Sequence, residues 1–148
     1  MKKQAVLDLL SEQLRLKKAR LENMILDLQQ SAAEDSKSSM GDKYETSREM
    51  TRQEIVKVES RLSIVQQQEI VLQKVAAQHN TEQVRVGNLI ETNEGFFFLG
   101  IPVGALKIKA QPVFCLSSES PLGKVLIGKT EGEAFVFRGK RFQILEIQ

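Results

Sequence analysis

Gly41-Asp42-Lys43-Tyr44-Glu45 interrupts two long runs of apolar residues spaced in alternating steps of three and four. Before it the stripe reads Leu7, Leu10, Leu14, Lys17, Leu21, Met24 and Leu28, broken only at Lys17. After it the stripe reads Ile55, Val58, Leu62, Val65, Glu69, Leu72 and Ala76, broken only at Glu69. Alternating steps of this kind keep apolar side chains on one helical face and form coiled-coil seams. Two seams with a short break between them predict an antiparallel helical hairpin that turns at Gly41–Glu45. At 1.5 Å per residue, arms of ~25–30 residues are roughly 40 Å long.

The two defects suggest how the arms align. Pairing Leu28 with Val58, Met24 with Leu62, Leu21 with Val65, Leu14 with Leu72 and Leu10 with Ala76 also sets Lys17 against Glu69. A lone charge in a seam costs several kcal/mol, whereas an opposed pair is roughly neutral and fixes the register. That alignment centres the hairpin on Lys43. Between the arms, Ser31–Ser39 has no stripe. The first helix is expected to fray there, and the second to restart between Asp42 and Thr46.

Composition changes near residue 80. All seven Phe, all three Pro and eight of the nine Gly follow it, Gly41 being the exception. Coiled-coil composition therefore gives way to that of a sheet domain. The chain is read as α+β in two domains: residues 1–77 form the hairpin with its tip near 41–45, and residues 78–148 form a small antiparallel sheet with one short helix. Val84–Thr92, Phe96–Ile101, Pro112–Ser117, Ala134–Phe137 and Arg141–Ile147 read as strands. Ser120 offers a cap, Pro121 suits the first helical position and Gly128 a stop, which makes a two-turn helix between them.

Several function classes lose support on chemistry alone. The net charge of +2 does not suit a tail that coats nucleic acid or membrane by bulk charge. No apolar run approaches the ~20 residues of a membrane span, and the basic start, Met1-Lys2-Lys3-Gln4, leads into an amphipathic stretch rather than a signal-peptide core. One Cys, Cys115, and one His, His79, cannot build a zinc site by themselves. The lone Cys fits a reducing cytoplasm. Cys115 is expected to be a buried strand residue and His79 a solvated linker residue. Phe96-Phe97-Phe98 is expected to be core and edge rather than a platform for bases, because no basic residues interleave it. Arg15, Lys17, Lys18 and Arg20 cluster on the first arm. They read as a solvated face, with Arg15 and Lys18 as the candidates for phosphate contact.

The acidic turn has two readings. Asp42-x-x-Glu45 has the form of a capping box, and Thr46-x-x-Glu49 offers a second. Two carboxylates one turn apart also suit a hard dication such as Mg²⁺, which takes one or two protein carboxylates and keeps waters or phosphates as its other ligands. Two carboxylates make an incomplete site, so such an ion would have to be partly held by a partner. Tyr44, the only Tyr, calls for a partner surface if it sits at an exposed tip.

The stretch Ser120-Pro121-Leu122-Gly123-Lys124-Val125-Leu126-Ile127-Gly128-Lys129, then Gly132-Glu133 and the closing Phe142-Gln143-Ile144-Leu145-Glu146-Ile147, resembles the C-terminal domain of the Gre transcript-cleavage factors of bacterial RNA polymerase. The order of elements agrees over the whole chain, since in that family a coiled-coil hairpin precedes an FKBP-like domain. The family's tip reads Gly-Asp-x-x-Glu, the spacing of Gly41, Asp42 and Glu45. The resemblance implies a monomeric cytoplasmic factor that docks at the rim of the polymerase secondary channel, with Ser120, Pro121, Lys43 and Tyr44 as partner-contacting residues. The hairpin would enter the channel. Asp42 and Glu45 would help hold the polymerase's second catalytic Mg²⁺, so that a backtracked RNA 3′ end is hydrolysed. The chain would then be no enzyme itself and would hold no metal alone.

Two departures from the family support a second expectation. The family has Ser-Glu-Asn around the second acid where this chain has Tyr44-Glu45-Thr46. Its acidic and aromatic run after the tip is replaced by Ser47-Arg48-Glu49-Met50. A channel-binding regulator or inhibitor without cleavage activity is therefore the alternative. A prolyl isomerase is a third, on fold likeness alone. With no Trp, and no Tyr after residue 44, the second domain is expected to lack an aromatic-lined pocket.

Overall fold

The computed structural model describes the backbone of residues 1–37 and 42–148, and the side chains of 1–34 and 45–148. Helix α1 spans Lys3–Lys37 and α2 Asp42–Ala76. There follow β1 (Leu89–Thr92), β2 (Gly95–Leu99), β3 (Gly104–Ile108), β4 (Gln111–Leu116), α3 (Pro121–Leu126), β5 (Ala134–Phe137) and β6 (Lys140–Ile147). The fold class is α+β. The chain forms two compact units, Glu12–Glu69 and Met1–Ser11 together with Ile70–Gln148.

In the first unit the two helices pack along the expected seam. Leu14, Leu21, Val58 and Val65 are buried, and Met24, Leu28, Ile55 and Leu62 are half-buried. The charge pair differs from expectation. Lys18, not Lys17, meets Glu69, with Nζ 3.4 Å from Oε2, while Lys17 is exposed. Both lysines fit between Leu14 and Leu21 in steps of three and four, so the stripe alone does not separate them. The fraying expected over Ser31–Ser39 also needs correction, because α1 continues helical to Lys37. Ala32, Ala33, Glu34 and Lys37 are good helix formers and extend it without a seam.

In the second unit six strands form one sheet in the order β3-β4-β2-β1-β6-β5. All neighbours are antiparallel except β2 and β4, which run parallel with Phe97 beside Phe114 and Phe98 beside Cys115. The sheet is mostly antiparallel, as expected; the one parallel pair follows from β3, a strand that the sequence reading does not include. Its hairpin with β4 reverses the chain once more and brings β4 back along β2. Only Leu106 of β3 is buried, so the strand has little apolar pattern. Its turn uses Lys109 and Ala110 at φ 50° and 67°, positions where Asn-Gly would have signalled a hairpin.

The strand expected from Val84 begins only at Leu89. Upstream, Val84 exchanges backbone bonds with the end of the α3 segment: its N–H donates to the Lys129 carbonyl and its carbonyl accepts from Gly128 N–H, at 2.8 and 2.9 Å. Gly87 then turns the chain at φ 100°. Buried Asn88 ties the turn together, donating to the Asn80 and Gln148 carbonyls and accepting from Arg85 N–H.

Period-two alternation gives the sheet two buried faces. One carries Ile90, Phe97, Leu99, Phe142, Ile144 and Ile147, which join Val84 and Leu126 of α3 in one cluster. The other carries Leu89, Phe98 and Cys115 in one row and Phe96, Val113 and Leu106 in the next. Phe96, Phe97 and Phe98 are all buried, so none is a stacking platform. Burial of a Phe contributes roughly 1.5–3 kcal/mol, which makes this run a main anchor of the sheet. Val75, rather than the expected Ala76, is the buried residue at the end of α2. Its side chain lies against Gly87 and Gly100.

Candidate functional site

Asp42 opens α2 and Glu45 lies one turn later on the same helix, exposed. Gly41 and the side chains of Asp42, Lys43 and Tyr44 lie outside the described residues. The chemistry of the pair suits a hard dication, since both are carboxylates, but two ligands leave most of an octahedral shell to be filled. Among the described residues no cluster of three or more His, Cys, Asp or Glu comes together.

Two of the four basic residues on the first arm, Arg15 and Lys18, are committed within the helix pair. Arg15 donates to both Glu12 carboxylate oxygens at 2.7 and 3.2 Å. Hydrogen bonding to that guanidinium holds the Glu12 carboxyl below its ordinary range, and the Glu12 carboxylate raises Arg15 in turn. Lys18 is held by Glu69. Lys17 and Arg20 are exposed. Further along α2, Arg48 and Met50 are exposed, and Arg52 lies 3.8 Å from Glu49.

Ser120 and Pro121 sit where sequence places them. Ser120 caps α3, accepting from Gly123 N–H at 3.1 Å while its hydroxyl donates to the Ser117 carbonyl at 2.8 Å. Pro121 occupies the first turn and is exposed. Cys115 is buried, and that burial pushes its thiol up to about 12. His79 is exposed and lines a small cavity with Lys3, Gln4 and Gln148.

The second unit does contain an aromatic-lined pocket, contrary to expectation. Two adjoining cavities of about 430 and 310 Å³ share Phe97, Phe114, Leu122, Phe137 and Arg138 in their walls. The first adds Phe142, Glu94 and Lys140, and the second Leu116, Ser120 and Pro121. Phe97 links the walls, its ring 5.8 Å from Phe114 and 6.1 Å from Phe142. Composition was a poor guide because phenylalanines serve as well as Tyr or Trp. The four rings come from β2, β4, β5 and β6, so only the register of the sheet assembles them. The available signal was the alternation within each strand, but the parallel pairing of β2 with β4 was needed to use it.

No protein-family model, curated protein or solved structure matches this chain.

Proposed function

We propose that this chain is an accessory factor of bacterial RNA polymerase that places Asp42 and Glu45 in the secondary channel and stimulates cleavage of backtracked RNA. The observation that carries the reading is the position of the acidic pair. It stands at the junction of two 35-residue helices, α1 and α2, whose paired stretch is closed by the seam and the Lys18–Glu69 contact. A small sheet domain with a Ser120-capped helix follows, which is the order of elements that the resemblance to the Gre factors requires.

On this reading the chain supplies ligands and the polymerase supplies the rest of the site. A shared Mg²⁺, when bound, lowers the pKa of its water and neutralises charge on the phosphodiester. Asp42 and Glu45 would be this chain's ligands to that ion, each through its carboxylate. Lys43 and Tyr44 flank the pair and contact the channel wall. Ser120 and Pro121 lie on the docking face at the rim. The factor works as a monomer in the cytoplasm, and the nuclease activity belongs to the polymerase.

The replacement of the family's Ser-Glu-Asn by Tyr44-Glu45-Thr46 favours the second reading, a regulator that occupies the channel without promoting cleavage. One experiment separates the two. A backtracked elongation complex is incubated with wild-type chain, Asp42→Ala and Glu45→Ala, and both bound factor and RNA length are measured. Faster cleavage with wild type, lost in both variants at equal occupancy, is expected. Equal occupancy with unchanged RNA 3′ ends for wild type would support the regulator instead, and absence of binding would remove both.

A further inference from the structure

We propose that the groove formed by Phe97, Phe114, Leu122, Phe137 and Phe142 is a binding site for an extended acidic peptide segment of another protein. It takes one bulky apolar side chain whose neighbouring carboxylate pairs with Arg138. The site uses neither Asp42 nor Glu45, but its second cavity borders Ser120 and Pro121, so an occupant would compete with docking at the polymerase rim.

Three observations on the groove carry the inference. First, it offers apolar surface to solvent. Phe114 is 40 % exposed and Phe137 is half-buried, and the adjoining cavities, about 430 and 310 Å³, fall at the low end of ligand-pocket sizes. Aromatic rings left open in this way bind an apolar side chain through burial and ring-to-ring contact.

Second, the charge at its mouth is unbalanced. Glu94 and Lys140 both line the groove and neutralise each other at 3.6 Å. Arg138 lines both cavities and makes no ion pair among the described residues. Its guanidinium is held over the Phe137 ring at 5.1 Å. Its backbone lies in the left-handed region at φ 50°, in the turn with Gly139 that joins β5 to β6. Few residues other than glycine and Asn accept that conformation, and here the turn carries a planar cation to the rim. Arginine in such a setting reads a carboxylate with two parallel N–H donors.

Third, β5 is the edge strand of the sheet and pairs only with β6. Its outward N–H and C=O groups offer backbone partners to an added extended chain. A free metabolite would use the rings and Arg138 but not this edge, so the edge favours a peptide.

The test is an amide NMR titration of the isotopically labelled full chain with acetyl-Gly-Phe-Glu-Gly-amide and, separately, acetyl-Gly-Phe-Gln-Gly-amide. Saturable shifts confined to the groove, β5 and the Arg138 turn are expected, with the Gln peptide at least about fivefold weaker. Phenylacetate is expected to reach the same rings without shifting the outer amides of β5. In Arg138→Gln the two peptides should bind alike and as weakly as the Gln peptide binds wild type. Because Arg138 is exposed, that variant keeps the fold, and the comparison on wild type does not depend on it. Equal affinity of the two peptides for wild type, shifts located elsewhere, or no saturable shift would each overturn the proposal. So would phenylacetate reproducing the full peptide pattern, which would assign the groove to small organic anions.

Discussion

Ser120 and Gly123 show how tightly single residues hold the sheet domain's only helix. The Ser120 hydroxyl caps α3, and a Cβ added at Gly123 would stand 2.1 Å from the Ser117 carbonyl oxygen and 2.8 Å from Ser120 Oγ. Backbone cannot yield that far, so Gly123→Ala is expected to cost about 3 kcal/mol or more. Ser120→Ala should cost about 1 kcal/mol through loss of the cap, and urea unfolding measures both. The opposite sign is expected at Ala110, exposed at φ 67°, where Ala110→Gly should gain about 0.5–1 kcal/mol by relieving a left-handed non-glycine residue. Cys115 gives a pH signature. Its thiol is neutral when folded because burial raises it from 9.0 to about 12. The unfolded chain loses that proton first as pH rises, so this stabilisation is complete below about pH 9 and is lost progressively towards about pH 12. The fall in unfolding midpoint between pH 8 and 10.5 should therefore be shallower in Cys115→Ala than in wild type. The cap and Pro121 were legible in sequence because they follow from local backbone chemistry. The close approach behind Gly123 was not, because it depends on where the Ser117 carbonyl returns in space.

At the scale of elements, the helix pair and the sheet differ in how much of them a sequence can declare. The seam was legible from spacing, and Leu14, Leu21, Val58 and Val65 are buried as the stripe requires. Burial there outweighs charge. Val65→Ala is expected to cost about 2 kcal/mol. The Lys18–Glu69 pair, about one-third exposed on both sides at 3.4 Å, should show a coupling of only about 0.5 kcal/mol in a double-mutant cycle, shrinking further in 1 M salt. Coupling between Lys17 and Glu69 should be near zero in the same assay. Which lysine faced Glu69 was not readable, because both satisfy the spacing. The sheet hid more. β3 has one buried residue and a Lys-Ala turn, so its pattern is weak, and without it the parallel return of β4 beside β2 cannot be inferred. That pairing sets Phe114 beside Phe97 and so builds the groove.

For the whole molecule, the proposed function and the proposed groove fall on separate regions: Asp42 and Glu45 lie in the first turn of α2, and the phenylalanine groove lies in the sheet domain. Sequence carried the spacing of Asp42 and Glu45, the α+β class and the order of elements. The phenylalanine groove became legible only in the folded chain, since its rings come from four strands and the β2–β4 pair must meet the β5–β6 hairpin to assemble them. The central claim is that the carboxylates of the turn complete a cleavage site that belongs to RNA polymerase. Its most direct test is the rate of RNA 3′-end cleavage in a backtracked complex of bacterial RNA polymerase with Mg²⁺, at saturating wild-type chain and at equally bound Glu45→Gln. Glu45→Gln keeps the shape and removes the charge that holds the ion. Wild type is expected to raise the rate at least about tenfold, and Glu45→Gln to return it to the rate of polymerase alone. A rate unchanged by bound wild type, or raised equally by Glu45→Gln, would contradict the account.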